Sequence, residues 1–271
     1  MSAKRTNGTV TIHDTEMYYV SFGRGAGRLV VLPGLSDGLA TVKGKAMLLA
    51  GPYKRFLDKY TVYMFSRKNS MPEGYSIREM AADQVDAMKK LGIDRASVLG
   101  VSQGGMIAQY VAIDHPEAVD RLILAVTTPY ANNVVRNAVG GWIEMVKRED
   151  HVTLMCDTAE KMYSDAYLAK NRKLFPLIAR LTRPKSYERF LRNANAILAF
   201  DAREDLSRIV CPTLILAGSD DRTVGNDAPR ELSQGIKGSE LYVYEGLGHG
   251  AFEEARDFYD RIYDFLEQGK R

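Results

Sequence analysis

One serine lies in a setting that could make it a nucleophile. Ser102 is the central residue of Gly-Val-Ser-Gln-Gly, residues 100–104. Residues 96–101 form a short apolar run with β-branched side chains, which predicts a buried strand, and a helix is predicted from Gln103. A sharp turn from strand to helix would lift the serine clear of the sheet, beside the positive end of the helix. A glycine-rich turn with an incidental serine stays open on these residues alone.

A serine hydroxyl needs a general base within hydrogen-bond reach, and four histidines are available. His249 is favoured, because it lies among glycines directly after the last predicted strand and therefore at the same sheet edge as the serine. His13 is predicted in an early edge strand, His115 at the far end of the helix after the serine, and His151 in a charged, solvated stretch. Surface or structural roles are expected for these three.

The base needs a third group that orients it, and two carboxylates qualify. Asp220 and Asp221 directly follow the late strand predicted over residues 212–217. The loop after the preceding strand, residues 127–130, holds no carboxylate. These residues leave open which aspartate would orient His249. In either case the chain order is Ser, Asp, His.

The elements that must position these groups alternate between strands and helices. Strands are predicted over residues 9–13, 17–22, 29–32, 61–65, 96–101, 122–126, 212–217 and 240–244. Their short connections indicate an α/β fold with a mostly parallel sheet flanked by helices, whose reactive groups sit at the carboxyl ends of the strands. Residues 129–205 show only helical patterns. They are predicted to form a helical cap inserted into a core of residues 1–128 and 206–271.

Four local features are predicted along the way. A helix is expected to end near Tyr60, and a polar loop to cover residues 66–74. Ser76 and Glu79 have the spacing of a capping box at the start of the next helix. Within the cap, one helix is predicted over residues 158–170.

The cap holds a lone tryptophan and a basic segment. Trp142 is expected to pack within the cap or, as the alternative, to line the substrate pocket. Residues 180–192 contain five Lys and Arg against one Glu. A solvated helix face is expected there, and steering of anionic substrates is the alternative.

Composition excludes several other classes of protein. The 271 residues carry a net charge of +3, which argues against nucleic acid or a membrane surface as a partner. Cys156 and Cys211 are far apart and indicate neither a disulfide framework nor a zinc site. The first residues do not resemble a signal peptide, and no stretch is apolar enough to span a membrane. A cytoplasmic location is therefore expected.

Three motifs together resemble those of the α/β-hydrolase superfamily, close to its capped esterase, lactonase and cofactor-free haloperoxidase branch. They are Gly-Val-Ser-Gln-Gly, Gly-Ser-Asp-Asp-Arg-Thr-Val and Gly-Leu-Gly-His-Gly-Ala-Phe, at residues 100–104, 218–224 and 246–252. The resemblance covers nearly the whole chain. It implies the α/β-hydrolase fold with an inserted cap, and neither a metal nor an organic cofactor.

The resemblance also implies roles for single residues. The acid of this family commonly lies at the third position after the glycine, which selects Asp221 over Asp220. The oxyanion hole would use the backbone N–H groups of Gln103 and Leu35. Many relatives have His-Gly where this chain has Pro33 and a glycine. Donation by Leu35 would survive that difference, since it uses the backbone.

The predicted function is that of a serine hydrolase acting on a small ester, thioester or lactone. Ser102 would attack the carbonyl, His249 would accept its proton, and Asp221 would orient His249. Carbon–carbon bond hydrolysis and perhydrolysis on the same triad are alternatives. A non-catalytic ligand receptor of the same fold is a further alternative, which turnover would distinguish.

Overall fold

The computed structural model describes residues 5–269, in which eight strands form one sheet. The strands are β1 Arg5–Ile12, β2 Thr15–Gly23, β3 Gly27–Leu32, β4 Tyr60–Lys68, β5 Ala96–Val101, β6 Val119–Ala125, β7 Thr213–Gly218 and β8 Glu240–Tyr244. Their spatial order is β1-β2-β4-β3-β5-β6-β7-β8. β2 runs antiparallel to β1 and to β4, and all other neighbours are parallel. The predicted fold class is confirmed.

Helices connect the parallel strands and follow the last of them. They are α1 Ala46–Leu49, α2 Ile77–Lys90, α3 Gln103–Asp114, α4 Asn133–Lys147, α5 His151–Met162, α6 Asp165–Asn171, α7 Phe175–Thr182, α8 Glu188–Leu198, α9 Ala228–Gly235, α10 Ala251–Glu254 and α11 Phe258–Glu267. The consecutive helices α4–α8 all lie between β6 and β7 in the chain. We call residues 133–198 the helical segment. None of the helices of residues 5–269 has the length and apolar content needed to cross a membrane.

The sheet is buried on both faces, as parallel sheets generally are. Side chains alternate along β5, so that Val98 packs in one apolar core and Leu99 in the other. The first core includes Met80 of α2 and Ile107 of α3. The second includes Phe258 of α11. This double covering explains why the central strands are continuous apolar runs in the sequence.

Four local predictions are wrong in detail. The helix expected before Tyr60 is reduced to α1 and a 3₁₀ turn at Lys54–Phe56. β4 continues through the expected polar loop as far as Lys68, because Ser66 and Arg67 are buried with hydrogen-bond partners. The helix expected over residues 158–170 is interrupted between α5 and α6, where Ser164 caps α6. His13 lies in the turn after β1, with a φ of 52°.

The predicted capping box is confirmed at the start of α2. The Ser76 hydroxyl accepts from the Glu79 N–H, and the Glu79 carboxylate accepts from the Ser76 N–H at 2.8 Å. These two bonds satisfy donors that the first turn of a helix otherwise leaves unpaired. The start of α2 is therefore set by local chemistry that the sequence displays.

Candidate active site

Ser102 lies at a strained turn between β5 and α3. Its φ of 55° and ψ of −120° are rarely adopted by a residue with a side chain. A Cβ added at Gly104 would come within 1.8 Å of the Leu32 carbonyl oxygen, and one at Gly100 within 2.4 Å of the Gly104 oxygen. Glycine is required at both positions because strand and helix approach too closely for any side chain.

The structure brings Ser102, His249 and Asp221 into one hydrogen-bonded row. His249 Nε2 is 2.9 Å from Ser102 Oγ, and His249 Nδ1 is 2.8 Å from Asp221 Oδ2. His249 and Asp221 are almost fully buried. A neutral imidazole in this row donates from Nδ1 to the carboxylate and accepts from the serine at Nε2.

The loop after β7 distinguishes the two aspartates left open by the sequence. Asp221 turns inward, and its Oδ1 accepts from the Thr223 and Val224 N–H groups at 2.8 and 2.9 Å. Asp220 is exposed and its Oδ1 accepts from Ser219 Oγ. Only the inward carboxylate contacts His249, and two backbone donors hold it in place.

The loop after β6 holds the backbone of Ser102 by a hydrogen bond. The Thr127 hydroxyl donates to the Ser102 carbonyl oxygen at 2.7 Å, and Thr127 also packs against Gly105. The preceding residue, Val126, has a φ of 44°, which is a strained backbone conformation for a β-branched residue. Its N–H donates to the Leu216 carbonyl oxygen at 2.8 Å. Sequence analysis noted that this loop has no carboxylate but missed its support of the turn.

The expected oxyanion-hole residues lie on either side of Ser102. Gly34 approaches it so closely that an added Cβ would be 3.2 Å from Ser102 Cβ. Leu35 follows as the first residue of a 3₁₀ turn, Leu35–Gly38, and Gln103 is the first residue of α3. N–H groups at the start of a helical turn have no partner within that turn.

The Gln103 side chain links the turn to the helical segment. It is fully buried; its Nε2 donates to the Asn193 carbonyl oxygen and its Oε1 accepts from Arg67 Nη2, both at 3.0 Å. Burial lowers the pKa of Arg67 to about 10, a value still high enough for the guanidinium to be cationic at neutral pH. Sequence analysis assigned Gln103 only a backbone role and placed Arg67 in a polar loop.

Arg189 of α8 binds Asp37 and the end of β4 through four hydrogen bonds. It donates to Asp37 Oδ2 at 2.6 Å, to Asp37 O at 3.0 Å, and to the carbonyl oxygens of Arg67 and Lys68 at 2.8 and 2.7 Å. Asp37 is buried in the 3₁₀ turn that begins at Leu35. The expectation of a solvated face is therefore wrong for Arg189, which fastens the helical segment to this turn.

The other singled-out residues lie away from this row. Trp142 is buried in α4 and its indole N–H donates to Asp157 of α5 at 2.7 Å, so it packs within the helical segment. His151 is buried, contrary to its expected solvation. His13 contacts Asp83 at 3.2 Å, and His115 ends α3. None of the three shares a hydrogen bond with Ser102 in the described part of the chain.

Comparison with known proteins identifies the family. The family model described as "alpha/beta hydrolase fold" matches residues 63–256. The AB hydrolase superfamily protein YisY of Bacillus subtilis is 31% identical over 194 residues, covering 68% of this chain and 71% of that protein. The putative carbamate hydrolase RutD of Caulobacter segnis is 27% identical over a 292-residue alignment, covering 97% of this chain and 99% of that protein.

Solved structures agree on the fold. The enol-lactonase of Burkholderia xenovorans LB400 superposes with a TM-score of 0.83 at 21% identity, covering 96% of this chain and all of that one. At 21% identity this superposition shows a shared fold alone. The family model and the match to YisY show similarity in sequence as well. The chain is therefore an enzyme of the α/β-hydrolase family.

Proposed function

We propose that the protein is a serine hydrolase that cleaves a carboxylic ester, thioester or lactone through an acyl-enzyme. The hydrogen-bonded row from Ser102 Oγ through His249 to Asp221 is the observation that supports this most strongly. It stands at a strained turn at the positive end of α3, where a developing negative charge is stabilised.

The reaction follows from this geometry. Ser102 Oγ attacks the substrate carbonyl while its proton passes to His249 Nε2, and Asp221 stabilises the resulting imidazolium. The oxyanion accepts from the N–H groups of Leu35 and Gln103. His249 then gives its proton to the leaving alcohol, thiol or ring oxygen. Water, deprotonated by His249, attacks the acyl-enzyme. The bond between the acyl carbon and Ser102 Oγ then breaks, His249 returns the proton to Ser102 Oγ, and the acid is released.

Residues outside the row have supporting roles in this proposal. Thr127 holds the Ser102 carbonyl and keeps the turn in its strained conformation. The helical segment acts as the cap over the carboxyl edge of the sheet and shapes the pocket; its contacts with Gln103 and Asp37 fit that role. Lining of the pocket by Trp142 stays a prediction, and its burial favours packing.

A carbamate is the second candidate substrate. The relative that aligns over 97% of this chain is named a putative carbamate hydrolase, and a carbamate carbonyl is attacked in the same way as an ester carbonyl. A panel of p-nitrophenyl acetate, longer acyl esters, a lactone and an alkyl carbamate distinguishes the two by their kcat/KM values.

Active-site labelling tests the nucleophile. We expect a fluorophosphonate to modify the wild-type protein at Ser102 and to leave Ser102→Ala unmodified, with loss of ester hydrolysis in the variant. Ser219→Ala is a matched control, since Ser219 is only partly buried and hydrogen-bonds to Gly246 and Asp220. An adduct on another residue, or equal turnover by Ser102→Ala, would refute the proposal. Binding without turnover would favour a receptor.

A further inference from the structure

Helix α7 and its N-cap residue, Leu174, expose a row of large aliphatic side chains. Leu174, Leu177, Ile178 and Leu181 are between 45% and 80% exposed. Their spacing of three, four and seven residues places them on one side of the helix, which we call the α7 stripe. Ala179, which is fully buried, lies on the opposite side. Single exposed aliphatic residues are ordinary in a globular protein, but a contiguous row marks an interaction surface.

Cations surround the α7 stripe. Residues 170–192 contain eight Lys and Arg but one Glu, a net charge of +7 in a chain whose net charge is +3. Lys170, Lys173, Arg180 and Lys185 take part in no ion pair within residues 5–269. These uncompensated charges precede, interrupt and follow the row, so the surface is both apolar and cationic.

We propose that the α7 stripe and its flanking cations dock on an anionic lipid surface. The aliphatic row would enter the boundary between headgroups and acyl chains, and the cations would contact lipid phosphates. A second copy of this chain is the less favourable occupant, since the four uncompensated cations of one copy would repel those of the other. The prediction of no membrane partner rested on whole-chain charge, which conceals this uneven distribution.

Sedimentation with vesicles tests the proposal. We expect the full chain to bind vesicles of phosphatidylglycerol and phosphatidylcholine in equal parts, and not vesicles of phosphatidylcholine alone. Binding should weaken steeply as sodium chloride is raised, because the contribution of surface cations is screened within a Debye length.

Three paired variants separate the contributions. Leu177→Gln with Leu181→Gln removes apolar area and should weaken binding about tenfold or more. Lys173→Gln with Lys185→Gln should weaken it about fivefold for each cation. Met47→Gln with Leu48→Gln is the matched control and should bind as wild type, because these two residues are equally apolar and exposed but belong to α1, which packs on β1 and β2. Unchanged melting temperatures would verify folding.

Two results would overturn the proposal. The first is equal binding to the two kinds of vesicle, or binding to neither. The second is a concentration-dependent dimer in analytical ultracentrifugation that the Leu177→Gln, Leu181→Gln variant abolishes, since the stripe would then be a contact between copies.

Discussion

Replacement of Arg189 by methionine removes the clamp between α8 and the 3₁₀ turn at Leu35–Gly38. Arg189 makes four hydrogen bonds, two of them to Asp37 and two to the backbone of β4. Methionine keeps much of the aliphatic volume and removes the charge and every donor. Asp37 would then stay buried, with the backbone N–H of Arg67 at 3.0 Å and the Arg67 guanidinium at 3.9 Å as its remaining partners.

The expected loss of stability follows from the burial of this pair. Side-chain exposure is 16% for Arg189 and 1% for Asp37, so solvent screens their interaction little. Removal of one partner of a buried ion pair costs about 3–5 kcal/mol when the other charge is left without compensation. The Arg67 guanidinium still lies 3.9 Å from Asp37, so the lower end of this range, about 3 kcal/mol, is expected. For a chain of this size about 1 kcal/mol shifts the melting temperature by roughly 2–4 °C. Arg189→Met should therefore lower it by roughly 6–12 °C.

Thermal unfolding followed by circular dichroism measures this change. Arg180→Met is the matched control, because Arg180 is exposed on α7 and forms no ion pair within residues 5–269; its effect should stay within about 0.5 kcal/mol. Ester hydrolysis gives a second readout below the melting transition. A displaced Asp37 turn moves Leu35, so kcat should fall more than KM changes.

A double variant tests the cause of the instability. Asp37→Asn removes the carboxylate that Arg189 binds, so the two single losses include the same interaction, and the double variant should lose less stability than their sum. Additive losses, or a melting temperature for Arg189→Met equal to that of Arg180→Met, would refute the buried-pair reasoning.

Two further substitutions test the candidate site and a buried histidine. Asp221→Asn should lower kcat on the order of 10⁴-fold, since an amide cannot hold His249 in the required tautomer, whereas Asp220→Asn should stay within about twofold in the same ester assay. Burial lowers the pKa of His151, so the unfolded chain takes up the proton first as pH falls below about 6.5. The folded protein therefore loses stability on acidification. Between about pH 7.5 and 5.5 the melting temperature of His151→Gln should fall less than that of the wild type, and an equal fall in the two proteins would contradict this reasoning.

Local patterns were sufficient for the sheet and for the position of Ser102 at a turn. The apolar run 96–101, with glycines at positions 100 and 104, encodes both the strand and the close approach of α3, because only glycine tolerates that distance. His249 and the pair Asp220 and Asp221 were likewise placed by their positions after strands, whereas the choice of Asp221 came from the family resemblance. Parallel strands bring such positions to one edge whatever lies between them in the chain, so spacing in sequence was no obstacle.

Polar residues whose partners are distant in sequence were not predictable in this way. Ser66 and Arg67 look like the beginning of a loop, and they are buried because Val42, Asp37 and Gln103 supply their hydrogen-bond partners. The partners lie about 24–36 residues away in the chain. The sequence pattern within β4 does not indicate these distant partners. Arginine is rarely buried, so the sequence alone favours an exposed position for Arg67.

The charge of a helix likewise does not reveal which of its residues are in solvent. Arg180 and Arg189 belong to one basic segment, yet the first is exposed and the second is held by Asp37. Arg189 and Asn193 are one helical turn apart on α8, and they reach the Asp37 turn and Gln103 respectively. One helix thus contacts both sides of the proposed oxyanion hole, so a shift of α8 would move Leu35 and Gln103 together. Within residues 5–269 no hydrogen bond joins α7 to the Asp37 turn or to Gln103, so substitutions on its surface should leave Ser102 undisturbed.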